Sequence, residues 1–159
     1  MDFKLITVGI ADMRIASAPD ILRTILGSCV GICLYDQTAR LGGMSHIMLP
    51  IHKERTSSLT KYADTAIPML ADEMARLGAD MNRITAKIIG GSTMFNVGQN
   101  SIMGEIGKNN ILMVRSVLNR MRIRIIAEDV GGDYGRTIDF FVENGSVKIR
   151  SMGKNEKVI

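Results

Sequence analysis

The sequence contains no tryptophan, and aromatic residues make up only 4% of it. Proteins that bind single-stranded nucleic acid without sequence preference stack its bases on aromatic side chains. The net charge of +4 is modest, and the basic residues are scattered except in the segment RMRIR at 120–124. An edge strand or a solvated face explains that cluster more simply than a binding patch does, so we do not expect nucleic acid to be a partner.

Long apolar runs are also lacking. No stretch approaches the roughly eighteen apolar residues of a membrane-spanning helix. The first residues, MDFKLITVGIADMRIA, lack the basic segment, the long apolar core and the small-residue cleavage site of a signal peptide. These absences predict a cytoplasmic protein that does not itself insert into a membrane.

Cysteine is scarce, since Cys29 and Cys33 are the only two. A disulfide is not expected, because cytosolic thiols stay reduced and so short a loop gains little from closure. A structural zinc site is not expected either, because the spacing is not C-x-x-C and no second Cys/His pair follows. The glycine-rich stretch IIGGSTMFNVGQN lacks the spacing of a nucleotide-binding loop and predicts only a shaped loop or an irregular connection.

What is present fits one domain, predicted over residues 1–159: the chain is 46% hydrophobic, and no repeat or linker divides it. Apolar residues recur at helical spacing over about 59–77 and about 104–121, which predicts two main helices, the first kinked at Pro68. The remaining apolar segments are short and mostly form hairpins, as around Asn144-Gly145. The pattern predicts an α+β fold, with a mostly antiparallel sheet assembly and helices on one side.

One hairpin carries the candidate chemistry. The segments VGICLYD (30–36) and LGGMSHIML (41–49) flank a polar tetrapeptide and are typical of paired strands. Pairing about the midpoint of Gln37 and Thr38 places His46 opposite Cys29, to within a residue or two. An imidazole beside a thiol lowers the thiol pKa and can pass a proton to a leaving amine.

The turn before the cysteine fits the same chemistry. Gly27 and Ser28 permit a sharp turn whose backbone N–H groups could hold an oxyanion. Asp129 is a candidate to orient a histidine and is equally well explained as a turn residue. The residues alone also leave a purely structural interpretation open, in which Cys29 is a small core residue and His46 makes a hydrogen bond within the core.

The sequence resembles one known family along most of its length. LGSCVGICLYD followed by ARLGGMSHIMLP is similar to the signature of CheD, the chemoreceptor glutamine deamidases of bacterial and archaeal chemotaxis. Further similar segments follow in order over about residues 5–152, namely KYADTAIPML, AKIIGGSTMF, IGKNN and AEDVGG. The resemblance implies a layered α/β/β sandwich. It also implies a protein-glutamine glutaminase that converts receptor glutamines to glutamates and, in some members, hydrolyses glutamyl methyl esters.

The resemblance also implies roles for single residues. Cys29 matches the nucleophile and His46 the general base and acid. The third member of the family's site is a threonine. Ungapped alignment with some relatives puts Arg23 at its place and Thr24 one residue later, and we expect Thr24 to be the orienting hydroxyl.

The Gly27-Ser28-Cys29 turn and the histidine that the hairpin brings back toward it lead us to expect a covalent mechanism that needs no metal or organic cofactor. The Cys29 thiolate attacks the glutamine amide carbon, and backbone N–H groups near Gly27 to Cys29 stabilise the oxyanion. Imidazolium His46 protonates the departing ammonia, and water then hydrolyses the thioester.

The expected partners are the cytoplasmic helices of chemoreceptors and CheC, a phosphatase of the response regulator CheY. The protein would then be recruited from the cytoplasm to membrane-bound receptor arrays. Two other functions stay open: an interaction module that binds CheC or receptor helices without needing catalysis, and a small-molecule amidohydrolase.

Overall fold

The computed structural model describes residues 2–53, 58–94 and 102–159. Residues 95–101, which complete the glycine-rich stretch, lie outside the described residues. Within the described ranges the chain forms ten strands and two α-helices. The strands are β1 Leu5–Thr7, β2 Met13–Ser17, β3 Ile21–Leu26, β4 Val30–Asp36, β5 Leu41–Ile47, β6 Thr85–Gly90, β7 Arg124–Val130, β8 Arg136–Phe141, β9 Val147–Arg150 and β10 Lys157–Val158. The helices are α1 Ala63–Arg76 and α2 Ile102–Arg120.

The strands form two five-stranded sheets. The central sheet has the order β2-β5-β4-β6-β7, and the outer sheet has the order β1-β3-β8-β9-β10. Most pairings are antiparallel, and the exceptions among the described strands are β1 with β3 and β6 with β7. Both helices pack on one face of the central sheet, and the outer sheet packs on its other face. The fold is therefore a layered α/β/β sandwich of the α+β class, as expected.

Two apolar layers hold this sandwich together. Strands β4 and β5 lie in the middle sheet, so both of their faces are buried, and this explains why they read as nearly continuous apolar runs. The layer between the helices and the central sheet includes Ile32, Leu34, Ile67, Leu70, Met74, Ile88, Val114 and Leu118. The layer between the two sheets includes Leu22, Leu26, Cys33, Met44, Ile138 and Phe140.

The helices differ in detail from the sequence prediction. The segment predicted as one helix over 59–77 begins with a short 3-10 turn at Leu59–Lys61, and α1 starts only after the extended residue Tyr62. The helix then runs continuously through Pro68. The second helix is Ile102–Arg120, close to the predicted 104–121. Among the described residues, no helix is long and apolar enough to span a membrane.

The β4–β5 hairpin forms as predicted, but its register is shifted by two residues. His46 pairs with Gly31 rather than with Cys29. The reason lies in the turn, which the sequence reasoning centred one residue too early. The carboxylate of Asp36 accepts a hydrogen bond from Ala39 N–H at 3.1 Å, and Arg40 takes a left-handed conformation with φ of 56°. The four residues 37–40 therefore all belong to the loop.

Candidate active site

Thr24 and His46 meet in the layer between the two sheets. Thr24 projects from β3 of the outer sheet and His46 from β5 of the central sheet, and each is only 2% exposed. The hydroxyl oxygen Oγ1 of Thr24 lies 2.7 Å from Nδ1 of His46. Residues 22 apart in the sequence are thus joined by one buried hydrogen bond across the sandwich.

The direction of that hydrogen bond follows from a second one. Thr24 Oγ1 donates its proton to the carbonyl oxygen of Val8 at 2.7 Å. A hydroxyl has one proton, so toward His46 it acts as the acceptor and Nδ1 carries the hydrogen. In the neutral ring the other nitrogen, Nε2, then holds a free lone pair. Nε2 is buried and has no hydrogen-bond partner among the described residues.

The segment after β1 holds the histidine backbone as well. Ala11 N–H donates to the carbonyl of His46 at 2.9 Å, and His46 N–H donates to the carbonyl of Asp12 at 3.0 Å. Val8, in the same segment, accepts the Thr24 hydroxyl. Sequence reasoning missed this segment, because its contribution is made by backbone groups that leave no signal in residue type.

Arg23 faces away from this site. Its guanidinium binds the carboxylate of Asp139 through two hydrogen bonds of 2.5 and 2.9 Å. Adjacent strand residues point to opposite faces. The structure therefore places the threonine, and not the arginine, against His46.

Cys29 lies in the bend between β3 and β4. It is half-buried, and it packs against the apolar layer between the sheets, the layer that also holds Thr24 and His46. It directly precedes β4, in which Gly31 pairs with His46. The structure thus brings Cys29 to the same layer as His46, although no hydrogen bond joins them in the described part of the chain.

The bend at residues 27–29 is anchored through its carbonyl groups. The carbonyl of Gly27 accepts from Ser92 N–H at 2.9 Å, and that of Cys29 accepts from Gly91 N–H at 2.8 Å. The carbonyl of Ser28 accepts from the side-chain amide of Asn110 at 3.1 Å. In a planar trans peptide the N–H points opposite to the C=O. The N–H groups of Ser28 and Cys29 therefore point away from these anchors, an arrangement able to hold an oxyanion.

Burial sets the charge state of the pair. Loss of solvent raises the pKa of the Cys29 thiol above its ordinary 9.0, and the cysteine's own backbone N–H opposes this in part. Burial also lowers the pKa of His46 to about 4. Both shifts favour a neutral thiol and a neutral imidazole in the resting site at neutral pH.

Asp129 does not contact the histidine. Its carboxylate accepts from Nη2 and Nε of Arg136 at 2.9 and 3.1 Å, and Arg136 is 1% exposed. Arg136 also donates to Ser92 Oγ at 2.8 Å. Ser92 N–H in turn donates to the Gly27 carbonyl. The Asp129–Arg136 ion pair therefore supports the bend that carries Cys29, through Ser92, and does not orient the imidazole.

The remaining cysteine and histidine of the sequence have other surroundings. Cys33 is buried in the layer between the sheets, and burial raises the pKa of its thiol. His52 packs edge-on against Tyr62 outside the site. No group of three His, Cys, Asp or Glu side chains within residues 2–53, 58–94 and 102–159 is arranged to hold a metal ion.

Asn110 is a site neighbour that sequence reasoning missed. It lies on α2, is fully buried, and donates to two backbone carbonyls, those of Ser28 and Met48. A signal was available: Asn110 lies four residues before Val114 and one before Ile111, both on the apolar face of the helix. A polar residue on such a face needs partners there.

Comparison with known proteins gives consistent matches. The model of the family described as "CheD chemotactic sensory transduction" matches residues 48–151. The "Probable chemoreceptor glutamine deamidase CheD" of Caldanaerobacter subterraneus subsp. tengcongensis is 43% identical, with 100% of both chains covered. The protein of the same name from Desulforamulus reducens is 46% identical, over 97% of this chain and 95% of the relative. Among solved structures, the Bacillus licheniformis hypothetical protein YfiH aligns with 74% of this chain and 49% of its own, at 16% identity and a TM-score of 0.48.

Proposed function

The chain belongs to the CheD family, and we propose that it is a chemoreceptor glutamine deamidase, a protein-glutamine glutaminase that hydrolyses receptor glutamine side chains to glutamate. The observation that carries the chemistry is the buried Thr24–His46 hydrogen bond. It fixes the imidazole tautomer whose Nε2 is free to accept a proton, in the layer that also contains Cys29. A base held by a third group beside a nucleophile is the arrangement of covalent acyl-transfer enzymes.

The first half-reaction forms a thioester. The Cys29 sulfur attacks the glutamine amide carbon while its proton passes to Nε2 of His46, so that the neutral resting pair becomes charged only during attack. The amide oxygen takes the negative charge and is stabilised by the N–H groups of Ser28 and Cys29. His46 then returns its proton to the nitrogen, the C–N bond breaks, and ammonia leaves.

The second half-reaction regenerates the enzyme. Water attacks the thioester carbon and gives its proton to His46 Nε2. The C–S bond then breaks, the sulfur takes the proton back, and the product is the glutamate side chain. Nothing in this sequence requires a metal or an organic cofactor. The same steps hydrolyse a glutamyl methyl ester if methanol leaves in place of ammonia.

The partners follow from the same proposal. We assign the cytoplasmic helices of membrane-bound chemoreceptors as the substrate, with the protein recruited to the receptor arrays. Exposed apolar side chains near the site suit contact with a helix: Ile10, 63% exposed, lies within the segment whose Val8 carbonyl accepts the Thr24 hydroxyl, and Met94, 43% exposed, packs beside Gly27. CheC is a further proposed partner, implied by the family resemblance.

The test is deamidation of a receptor cytoplasmic fragment, followed by ammonia release and by mass spectrometry of the peptides. We expect the wild-type chain to convert specific glutamines to glutamates and both Cys29→Ala and His46→Ala to abolish this. Cys33→Ala, which changes the other thiol outside the site, is the matched control and should stay active. Full receptor modification by Cys29→Ala would contradict the proposal, and receptor or CheC binding without modification by the wild type would favour the interaction module.

A further inference from the structure

Asn110 is a buried polar side chain whose two amide protons are both committed to backbone carbonyls. Its Nδ2 donates to the carbonyl of Ser28 at 3.1 Å and to that of Met48 at 2.9 Å. Its Oδ1 is buried and has no hydrogen-bond partner among the described residues. One amide on α2 thus joins the bend that contains Cys29 to the segment two residues beyond His46.

The bond to Ser28 acts on the next residue of the chain. The Ser28 carbonyl and the Cys29 N–H belong to one planar peptide group and point in opposite directions. Holding the carbonyl toward α2 therefore aims the Cys29 N–H toward the opposite side of the bend. A rotation of this peptide would turn the donor away from the position where the oxyanion develops.

We propose that Asn110 is a positioning residue for catalysis, which sets the direction of the Cys29 N–H and the placement of the Cys29 bend relative to the strand that carries His46. This inference rests on the proposed deamidase function. Asn110 does not touch the reacting atoms, and it acts through the peptide group between Ser28 and Cys29.

The chemistry of the position favours asparagine. Two carbonyl oxygens converge on one point, so the side chain there must supply two protons, which a primary amide does. An aspartate supplies none when ionised, a serine supplies one, and an alanine leaves both carbonyls without their partner. The unpartnered Oδ1 is a cost of burial that a purely packing residue would avoid.

The surrounding helix leaves the amide little freedom. One turn earlier, a Cβ at Gly107 would lie 2.5 Å from the carbonyl oxygen of Ser92, so α2 approaches the loop after β6 as closely as its backbone allows. One residue later, Ile111 is packed in the layer between the helices and the central sheet. Asn110 is thus held between two close contacts, as a residue that positions another group needs to be.

The experiment compares Asn110→Ala and Asn110→Ser with Asn109→Ala, the change of the neighbouring exposed asparagine. We expect Asn110→Ala to lower kcat for receptor deamidation by about 10²-fold, the effect of losing one oxyanion donor, with KM changed less than about twofold. Asn110→Ser, which retains one donor, should fall between Asn110→Ala and the wild type. Asn109→Ala should match the wild type.

A second measurement separates positioning from loss of structure. Alkylation of Cys29 by iodoacetamide displaces iodide and forms no oxyanion, so its rate should stay close to that of the wild type in Asn110→Ala. An unchanged kcat in Asn110→Ala would overturn the inference. An equal fall in alkylation and kcat, or the unfolding of both Asn110 variants by circular dichroism, would also overturn it. Failure of the wild type itself to release ammonia would instead refute the proposed function.

Discussion

The Thr24 hydroxyl has a single proton, which it donates in a hydrogen bond to the Val8 carbonyl. This leaves the hydroxyl oxygen as an acceptor toward His46 and assigns the imidazole tautomer without any charged partner. A carboxylate at this place would stabilise an imidazolium, whereas a hydroxyl leaves the ring easy to deprotonate. The residue beside His46 therefore favours a neutral base, in agreement with the lowered pKa of the histidine.

Thr24→Val keeps the shape of the side chain and removes the hydroxyl. We expect kcat for deamidation to fall by about 10²-fold, because the imidazole loses the group that fixes its tautomer and orientation. The free energy of unfolding should fall by about 1–3 kcal/mol, because Nδ1–H and the Val8 carbonyl are left buried without a partner. Steady-state kinetics and urea unfolding measure the two effects.

Two controls belong to that measurement. Thr24→Ser retains the hydroxyl and should retain most of the activity. Arg23→Gln changes the neighbouring residue on the opposite face, where it breaks the ion pair with the buried Asp139 and leaves Arg150 as the remaining cation, and should cost about 1–3 kcal/mol of stability with little change in kcat. A larger loss of kcat in Arg23→Gln than in Thr24→Val would contradict the assignment of the threonine.

The charge state of Cys29 is testable through its reactivity. Because burial raises the pKa of this thiol, the thiolate is scarce at pH 7 and becomes more abundant as the pH rises toward and above 9.0. We expect iodoacetamide to alkylate Cys29 slowly at pH 7 and with a rate that still increases at pH 9. Mass spectrometry of the modified peptide distinguishes Cys29 from the buried Cys33. A fast rate that is already constant between pH 6 and pH 7 would indicate a preformed thiolate–imidazolium pair and contradict the prediction.

At the scale of elements, the sequence predicts those features whose geometry depends only on residues close together in the chain. The two strands of the β4–β5 hairpin, the Asn144-Gly145 turn and both helices follow from patterns within about twenty residues. The hairpin register does not, because it depends on how Asp36 and Arg40 close the turn. The contact of Thr24 with His46 joins two different sheets, and no spacing within one hairpin contains that information. Its placement beside the histidine could be expected only from the family resemblance.

Helix α2 lies against the loop after β6 at Gly107, and this close approach predicts the effect of adding a side chain there. Gly107→Ala replaces a residue that is intrinsically poor in a helix by the best helix former, a change that alone stabilises by about 1 kcal/mol. Here the new Cβ would lie 2.5 Å from the Ser92 carbonyl oxygen. We therefore expect the opposite sign, a net loss of about 1–3 kcal/mol, because backbone must move to relieve the overlap.

Activity should fall with stability in Gly107→Ala, because Ser92 N–H anchors the Gly27 carbonyl of the cysteine bend. Thermal unfolding and the deamidation assay measure both quantities. Ser116→Ala on the exposed part of the same helix is the control, and it should be neutral or slightly stabilising. A stabilised Gly107→Ala would show that α2 is free to move away from the loop.

At the scale of the whole molecule, the sandwich buries the histidine of the proposed catalytic pair while the cysteine stays half-buried. The helices cover one face of the central sheet and the outer sheet covers the other, so His46 is enclosed between layers. Other buried charges in the described part of the chain are paired, as Asp36 is with Arg83 and Asp129 is with Arg136. Within residues 2–53, 58–94 and 102–159, His46 has only a hydroxyl at Nδ1 and no partner at Nε2. The fold therefore keeps His46 neutral, with a free lone pair on Nε2, and makes its protonation unfavourable.

This gives the protein a specific sensitivity to acid. The pKa of His46 is about 4 in the folded chain and near its ordinary 6.5 in the unfolded chain. Between these values the unfolded state binds a proton that the folded state does not. The stabilisation is therefore complete above pH 6.5 and is lost as the pH falls toward 4. The loss of unfolding free energy over that interval is roughly 3 kcal/mol.

Urea unfolding from pH 7.5 to 4.5 tests this, with His46→Gln as the comparison. For Asp36 and Asp129, burial would raise the pKa, but hydrogen bonds, chiefly from Arg83 to Asp36 and from Lys157 and Arg136 to Asp129, bring each below its ordinary 3.8. The stabilisation from these carboxylates is lost mainly below the tested interval. The wild type should therefore lose stability across the interval, and His46→Gln should lose much less. An equal slope in both would show that His46 is not the group that makes the fold sensitive to acid.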